Sequence, residues 1–172
     1  HDYVNGDTFT YSYDSNGRLI FVTDLNNNKI SFGYNLDDGS LKDYDYTIDG
    51  KTINVDYFYN TSGYFKGLYG KTEVRIDGKI IKKEYKYDED SLKRINKIIL
   101  SLGSTIINKY ITYDDESVVN GNTSTRIKTI SYDINGLSYT YSYDSFGNIT
   151  YIEVKENNVI IEEYHYRYDQ LN

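Results

Sequence analysis

The sequence repeats a short alternating aromatic stretch that closes with Tyr-Asp or Tyr-Asn. It recurs seven times, and the closing tyrosines, here called the anchor tyrosines, are Tyr13, Tyr34, Tyr59, Tyr87, Tyr113, Tyr143 and Tyr168. Their successive spacings are 21, 25, 28, 26, 30 and 25 residues. Such an interval holds two strands of ordinary length and two turns. Each repeat therefore predicts one β-hairpin.

The residues before each anchor alternate between apolar and polar. Before Tyr143, the residues Leu137, Tyr139 and Tyr141 alternate with Ser138, Thr140 and Ser142. Successive side chains of a strand point to opposite faces of a sheet, so this pattern places the tyrosines on one face. The composition agrees, because the chain has 22 Tyr and no Pro, and aromatic residues are enriched in strands while Pro is depleted.

A tight turn is predicted after each anchor. The best copies are Asp14-Ser15-Asn16-Gly17 and Asp144-Ser145-Phe146-Gly147. Asp at the first position and Gly at the fourth are typical of a type I turn followed by a left-handed residue. We expect the Asp side chain to accept hydrogen bonds from backbone amides of the turn, a role that Asn35 and Asn60 could also fill.

A second turn closes each repeat. Asp49-Gly50, Asp77-Gly78 and Asn135-Gly136 are strong signals of two-residue hairpin turns. Asn157-Asn158 is a weaker version, and Asn26-Asn27-Asn28 is a longer one.

An apolar pair with an offset of three residues follows the first turn. The pairs are Leu19 and Val22, Leu41 and Tyr44, Phe65 and Leu68, Ile95 and Ile98, Ile127 and Ile130, and Ile149 and Ile152. An odd offset puts two side chains on opposite faces of a regular strand, so we predict a recurrent bulge or bend there.

These features predict an all-β protein, an antiparallel meander of about seven tandem hairpins and some fourteen short strands. We expect one array over residues 1–172, without a linker and with one long interruption from Asp114 to Arg126. The chain has no Met, so we treat it as an internal fragment of a larger protein. An extended twisted sheet, a small sandwich and a segment of a β-shell all satisfy the same alternation.

The repeats resemble the YD repeats of bacterial Rhs and wall-associated proteins. The stretches Tyr11–Leu19 and Tyr141–Ile149 carry the resemblance most closely, as Tyr-X-Tyr-Asp, two residues, Gly, Arg or Asn, and an aliphatic residue. Repeat four departs from the pattern, with Ser91 where the turn glycine is expected. The repeat residues expected to be structural are Tyr11, Tyr13, Asp14, Gly17, Tyr34, Tyr59, Tyr87, Asp88, Tyr113, Asp114, Tyr141, Tyr143, Asp144, Gly147, Tyr168 and Asp169.

The resemblance implies a secreted or cell-surface bacterial protein. In this family the repeats coil into a hollow shell around a C-terminal toxin, and teneurins form a comparable shell. The expected partners are therefore the remainder of the parent shell and an enclosed effector. The C-terminal core that precedes the toxin in the family is absent from the sequence, so no toxin identity is implied.

Charge and composition argue against several other classes. The net charge of -7 disfavours nucleic acid and anionic membranes as partners. No apolar run approaches the roughly 20 residues of a membrane helix. The acidic clusters Asp37-Asp38, Asp88-Glu89-Asp90 and Asp114-Asp115-Glu116 lack a calcium-loop spacing and are expected to be solvated turns. We expect no metal or other cofactor.

No catalytic motif is present in the sequence. The chain has no Cys, and His165 occupies a polar position of its strand. We therefore expect no enzyme activity. Two alternatives remain: an exposed aromatic face that binds glycans or proteins, with Tyr11, Tyr139 and Tyr141 as contacts, and self-association through unpaired edge strands.

Overall fold

The protein is described by a computed structural model that covers residues 8–115 and 125–169. The regular elements of these ranges are thirteen strands. They are β1 Thr10–Tyr13, β2 Leu19–Thr23, β3 Lys29–Tyr34, β4 Leu41–Ile48, β5 Lys51–Tyr59, β6 Tyr69–Ile76, β7 Lys79–Tyr87, β8 Ile95–Leu102, β9 Thr105–Tyr113, β10 Ile127–Tyr132, β11 Ser138–Tyr143, β12 Ile149–Glu156 and β13 Val159–His165.

The strands form an antiparallel meander, as the sequence predicts. Their order in the sheet is their order in the chain, with β1 and β13 at the two ends. The anchor tyrosines mark the strand ends: Tyr13, Tyr34, Tyr59, Tyr87, Tyr113 and Tyr143 are the last residues of β1, β3, β5, β7, β9 and β11. Within residues 8–115 and 125–169, no helix is long and apolar enough to cross a membrane.

The chain divides into two compact units. The first consists of His1–Lys83 and Ser101–Ser104, and the second of Glu84–Leu100 and Thr105–Asn172. The long interruption predicted after Asp114 lies mostly outside the described residues. Its base is closed by a hydrogen bond from Asp114 N to Arg126 O of 2.9 Å.

The first unit has one apolar and one charged face. Tyr44 pairs with Val55, and Val55 with Val74, which forms an apolar row across β4, β5 and β6. Val55 is only 6% exposed. On the opposite face Asp56 pairs with Glu73.

Several cations neutralise this charged face. Glu73, which is 7% exposed, lies 2.8 Å from Lys71 Nζ, 2.7 Å from Arg75 Nη2 and 3.5 Å from Lys82 Nζ. Arg75 also contacts Asp56. The hydrogen bond from Lys71 holds the pKa of Glu73 below its ordinary value. Each buried charge is thus paired, as burial requires.

The second unit repeats the two-faced arrangement. Its apolar row runs from Ile111 through Ile130 and Tyr139 to Val154, one residue from each of β9 to β12. Val154 is 4% exposed. Among the described residues, Val55 and Val154 are the only buried hydrophobic side chains. The apolar face of each unit is therefore half-exposed rather than enclosed in a thick core.

Three of the four predicted two-residue hairpin turns are confirmed. Both central residues have positive φ at Asp49-Gly50, Asp77-Gly78 and Asn157-Asn158, as type I′ requires. Asn135-Gly136 has the same φ signs but lies within a longer loop, because Ser131 pairs with Ser138 and Tyr132 N donates to Leu137 O at 2.8 Å. The angles are 47° and 74° at Asp49-Gly50, 48° and 75° at Asp77-Gly78, 61° and 55° at Asn135-Gly136, and 49° and 66° at Asn157-Asn158.

The predicted bulge recurs at the start of the strand that follows the first turn. Tyr13 pairs with Leu19 while Ser12 pairs with Phe21, so Ile20 is the extra residue. The same shift makes Lys42, Lys128 and Thr150 the extra residues of β4, β10 and β12. In each case the bulge restores the apolar pair to one face.

The prediction was wrong for repeat three. Phe65 and Leu68 lie in the loop between β5 and β6. Tyr59 instead pairs with Tyr69 and Phe58 with Lys71, so Gly70 is the extra residue. Because the loop after Tyr59 is longer, Tyr69 rather than Phe65 is the first residue of the strand and the partner of the anchor.

The Asp49-Gly50 turn supplies a test of the backbone constraint. Gly50 has φ of 74° and nothing within 4 Å of an added Cβ. We expect Gly50→Ala to destabilise the protein by about 1 kcal/mol through left-handed strain alone. Gly50→Asn should cost less, because Asn tolerates this conformation. Urea denaturation of the two variants measures the difference, and equal midpoints would contradict the assignment.

Candidate functional site

The anchor tyrosines form a periodic set of hydrogen bonds between consecutive repeats. The hydroxyls of five of the seven anchors donate to a backbone carbonyl oxygen 15 to 19 residues earlier in the chain. The bonds run from Tyr34 to Leu19 (2.8 Å), Tyr59 to Leu41 (3.0 Å), Tyr113 to Ile95 (2.8 Å), Tyr143 to Ile127 (2.6 Å) and Tyr168 to Ile149 (2.8 Å). This contact is the most regular tertiary feature of the described residues.

The acceptor is the first residue of the strand that follows a turn. In β2, the ladder to β3 ends at the pair Phe21 and Ser31. The carbonyl of Leu19 lies two residues before this last pair, and the hydroxyl of Tyr34 reaches it instead. The Tyr34 side chain thus donates a hydrogen bond to a backbone carbonyl that has no partner in the pairing of β2 with β3. Each such bond joins one repeat to the repeat before it.

The protonation of these hydroxyls suits their role as donors. Burial raises the pKa of Tyr113 and of Tyr143 above the ordinary value. Both hydroxyls therefore keep their proton through the neutral range. Tyr13, by contrast, is 59% exposed, and its hydroxyl makes no hydrogen bond among the described residues.

In the turn that follows an anchor, an aspartate side chain accepts hydrogen bonds from the other residues of the turn. Asp14 Oδ1 accepts from the amides of Asn16 and Arg18, each at 2.9 Å, and Asp14 Oδ2 accepts from Arg18 Nε at 2.7 Å. Asp144 repeats this with Phe146 and Asn148. These hydrogen bonds, with those from the backbone amides of Arg18 and Asn148 as the largest causes, lower the pKa of both aspartates.

The same turn occurs where the sequence predicted only a longer loop. Asp24 Oδ1 accepts from the amides of Asn26 and Asn28, each at 2.8 Å, and Asn27 takes the left-handed position with φ of 61°. The left-handed residue of this copy is Asn rather than Gly, so the Asp-X-X-Gly pattern of the other turns does not reveal it.

Repeat four corrects two of the predicted roles. The turn carboxylate is Asp90, which accepts from the Leu92 amide at 3.0 Å and from Arg94 Nε at 2.6 Å. The left-handed residue is Lys93, with φ of 49°, and not Ser91. Asp88 instead accepts from Asn96 Nδ2 at 2.7 Å. Two extra residues shift the whole turn along the chain.

The expected roles of Asn35 and Asn60 were also wrong. The Asn35 side chain donates to Ser40 Oγ at 2.7 Å, and that of Asn60 donates to Leu68 O at 3.1 Å. In repeat two the acceptor is Asp38, which receives the Ser40 amide at 2.9 Å. An amide side chain can donate as well as accept, and here the longer turns use it as a donor.

Arginines at the end of the first turn cover three of the anchor rings. Arg18 lies over Tyr34 at 4.7 Å from the ring centroid, Arg94 over Tyr113 at 4.3 Å and Arg126 over Tyr143 at 5.7 Å. These separations suit cation–π attraction. The arginine belongs to one repeat and the ring to the next, so this contact reinforces the hydroxyl bond. The sequence analysis did not identify this pairing.

Arg94 carries the most extensive of these contacts. Its guanidinium donates to both carboxylate oxygens of Asp115, at 2.7 and 3.0 Å, in addition to its bond with Asp90. The side chain is 9% exposed. Asp115 and Asp90 are thereby committed to an ion pair. Glu116, the third acid of its cluster, lies outside the described residues.

No metal centre is formed by the described part of the chain. No group of three or more acidic, His or Cys side chains converges there in a way that could hold an ion. His165 is exposed and its ring lies 4.8 Å from the ring of Tyr151. Tyr139 and Tyr141 are half-buried within β11, and Tyr11 is 42% exposed.

The described residues line an open cleft in each unit. The cleft of the second unit has a volume of about 550 Å³ and includes Asn96, Lys97, Tyr110, Tyr113 and Asp115 in its lining. The cleft of the first unit, of about 430 Å³, lies near the Asp49 and Asp77 turns and is lined by Tyr46, Ile53 and Ile76 among others.

Comparison with solved structures shows the same fold in much larger proteins. A chain of the TcdB2-TccC3 crystal structure matches with a TM-score of 0.54 and 16% identity over 92% of this chain and 10% of that one. The TcdB2-TccC3-Cdc42 structure matches with a TM-score of 0.47 and 16% identity, over 92% of this chain and 9% of that one. This chain thus spans about a tenth of those chains.

A porin-like protein from Bacteroides uniformis ATCC 8492 also matches. Its TM-score is 0.46 at 15% identity, over 92% of this chain and 87% of that one. No model of a known protein family matches the sequence, and no curated protein matches it. At 16% identity the likeness to TcdB2-TccC3 shows the fold alone.

The inter-repeat hydroxyl bond can be tested at Tyr143. Tyr143→Phe keeps the ring under Arg126 but leaves the Ile127 carbonyl without its donor, and we expect a loss of about 1 kcal/mol of stability. Tyr13→Phe is the matched control and should be neutral. Thermal and urea denaturation of both variants makes the comparison, and equal effects would contradict a specific role for the bond.

The aspartate turns predict a pH dependence. Because the folded pKa of Asp144 lies below its ordinary value of 3.8, its stabilising contribution is complete above that value and is lost as the pH falls through the folded pKa. We expect Asp144→Asn to lower the urea midpoint at pH 7, with the difference from the parent chain vanishing near the acid limit of folding. Asp37→Asn, at an exposed turn position, is the control and should leave the urea midpoint at pH 7 unchanged.

Proposed function

We propose that this chain is a structural repeat module that supplies a strip of β-sheet to the wall of a larger protein. The observation that carries this is the periodic bond from five of the anchor hydroxyls to the preceding repeat. Every described bond of this kind joins neighbours in the chain, so the array is stabilised mainly by local contacts between adjacent repeats. Such an arrangement suits a spacer or container that is lengthened by adding repeats.

The finer role of the module rests on the YD-repeat resemblance. We propose that the parent is a secreted or cell-surface Rhs-type protein and that the strip forms part of a shell around a C-terminal effector. The fold shared with a segment of TcdB2-TccC3 supports a module within a much longer chain. We further propose that the module has no enzyme activity of its own and needs no cofactor.

Excision of one repeat tests the structural role. Deleting residues 34–58 joins Gly33 to the anchor Tyr59 and removes one period of 25 residues. We expect the shortened chain to keep its β-sheet circular dichroism and to unfold cooperatively at a modestly lower urea midpoint, as nearest-neighbour stability predicts. A deletion of residues 49–68 instead removes the single strand β5 with its two flanking turns and joins β4 directly to β6, so the alternation of strand direction is lost. It should unfold, and equal behaviour of the two deletions would contradict the proposal.

The open cleft of the second unit favours glycan binding as a second candidate function. Its volume of about 550 Å³ and its lining by the Tyr110 ring beside polar groups such as Lys97 and Thr112 provide an apolar surface next to hydrogen-bonding groups. Sugars are bound by such combinations of ring faces and polar groups. Tyr110 is 40% exposed and stands at the surface of β9.

A glycan array distinguishes the two candidates. If the cleft binds sugars, the chain should show saturable binding that Tyr110→Ala removes while Tyr64→Ala, at an exposed ring outside the cleft, preserves it. Both variants should retain the circular dichroism of the parent chain. If no glycan is bound even at high protein concentration, glycan binding is ruled out and the structural role is the remaining candidate.

A further inference from the structure

Two identical hairpin turns close neighbouring pairs of strands in the first unit. The tetrapeptide Ile-Asp-Gly-Lys occupies residues 48–51, between β4 and β5, and again residues 76–79, between β6 and β7. In both copies the Asp and the Gly have positive φ. Strand direction alternates in an antiparallel meander, so both turns lie at the same end of the sheet. The direct pairing of Ile53 with Ile76 makes them neighbours there.

The open cleft of the first unit lies beside these two turns and has apolar walls. Its volume of about 430 Å³ falls within the range of roughly 300–1,000 Å³ that is typical of small-molecule sites. Tyr46, Ile53 and Ile76 form one cross-strand row of β4, β5 and β6, and this row lines the cleft together with Ile48. Ile48 and Ile76 are 39% and 37% exposed. A ligand with an apolar body would therefore remove isoleucine surface from water.

The charged residues of the cleft favour a cationic ligand. Asp49 and Asp77 come from the two turns, and Lys51 is the first residue of β5. In the part of the chain that the structure describes, neither carboxylate accepts a hydrogen bond or forms an ion pair, and the Lys51 ammonium group forms none either. The lining thus carries two negative charges against one positive charge. Unlike charges attract, so an ammonium group is favoured over a carboxylate at this site.

We propose that the cleft of the first unit binds a small aromatic amine. The ring of the ligand would pack against Tyr46 and the isoleucines, and its ammonium group would face the carboxylates of Asp49 and Asp77. Among the described residues, the Tyr46 ring makes no contact with another ring or with a cation, so its face is available to the ligand. The proposal concerns only β4 to β6 and their turns, and it does not depend on the structural role of the repeats.

Phenethylamine is the probe, because it joins a phenyl ring to a primary ammonium group through a short alkyl chain. Methyl NMR of the 172-residue chain reports on the isoleucines of the cleft. We expect the methyl signals of Ile48, Ile53 and Ile76 to shift saturably. Ile106, an exposed residue of β9 outside the cleft, is the control and should not shift. Ethylamine lacks the apolar body and phenylpropionate reverses the charge, so each should bind at least about tenfold more weakly.

Substitutions at the mouth of the cleft test the contribution of charge. The double variant Asp49→Asn, Asp77→Asn removes both carboxylates but preserves the turns, because Asn-Gly is a preferred sequence of type I′ turns. It should bind phenethylamine at least about fivefold more weakly. Lys51→Gln should bind the amine more tightly, because it removes the one repulsive charge of the lining. Asp37→Asn, at an exposed acid outside the cleft, should leave binding unchanged.

Three results would each overturn the proposal. They are the absence of saturable shifts at the three isoleucines, equal shifts with phenylpropionate or ethylamine, and unchanged binding by the double variant. Circular dichroism establishes that the double variant retains the fold of the parent chain. If it does not, the three probes on the parent chain and the Lys51→Gln variant still decide, because neither measurement alters the turn aspartates.

Discussion

The hydrogen bond from the hydroxyl of Tyr34, Tyr59, Tyr113, Tyr143 or Tyr168 to the preceding repeat is the contact on which the arrangement depends. A sheet whose buried hydrophobic side chains are only Val55 and Val154 among the described residues gains little from enclosed apolar volume. It must be stabilised by contacts made within the sheet and on its faces. The tyrosine supplies two of them at once, because its ring packs on the apolar face and its hydroxyl closes a backbone acceptor. Phenylalanine could supply only the first.

The bulge explains why the bond recurs at the same position. An extra residue after each first turn interrupts the ladder and alters the local twist. In β2 the carbonyl that accepts the hydroxyl belongs to Leu19, the residue directly before the extra Ile20. The apolar pair Leu19 and Val22 can share a face for the same reason. A single insertion thus sets both the side-chain pattern and the position of the acceptor.

The sequence predicted the elements that depend on local backbone conformation. Left-handed residues at Asp49-Gly50 and Asn135-Gly136 follow from the steric freedom of Gly, Asn and Asp, which acts within the turn itself. The turn pattern that directly follows each anchor likewise predicted that the strands end at the anchor tyrosines. The acceptors of the anchor hydroxyls lie 15 to 19 residues away, and no propensity within a short window contains that information.

Repeat four shows where motif reading fails and why. The Tyr-Asp pattern predicts that the turn acid directly follows Tyr87, whereas in the structure its position is set by its distance from the strand that follows. Asp90 stands four residues before Arg94, as Asp14 stands four before Arg18, and both make the same hydrogen bonds with that arginine. Lys93 can take the left-handed position because these contacts compensate the strain of a side chain there. The hydrogen-bonded geometry that these turns share is therefore set by the residues at the C-terminal end of the turn.

The arginines complete this explanation. Arg18, Arg94 and Arg126 end their turns, and each lies over the anchor ring of the following repeat. For Arg18 and Arg94, the guanidinium that steadies the turn aspartate is therefore the same group that covers the next tyrosine. A repeat with Asn148 in this place keeps the aspartate bond but lacks a cation to cover Tyr168. That ring is 44% exposed, so the turn can form without the arginine, whereas the arginine adds cover between neighbouring repeats.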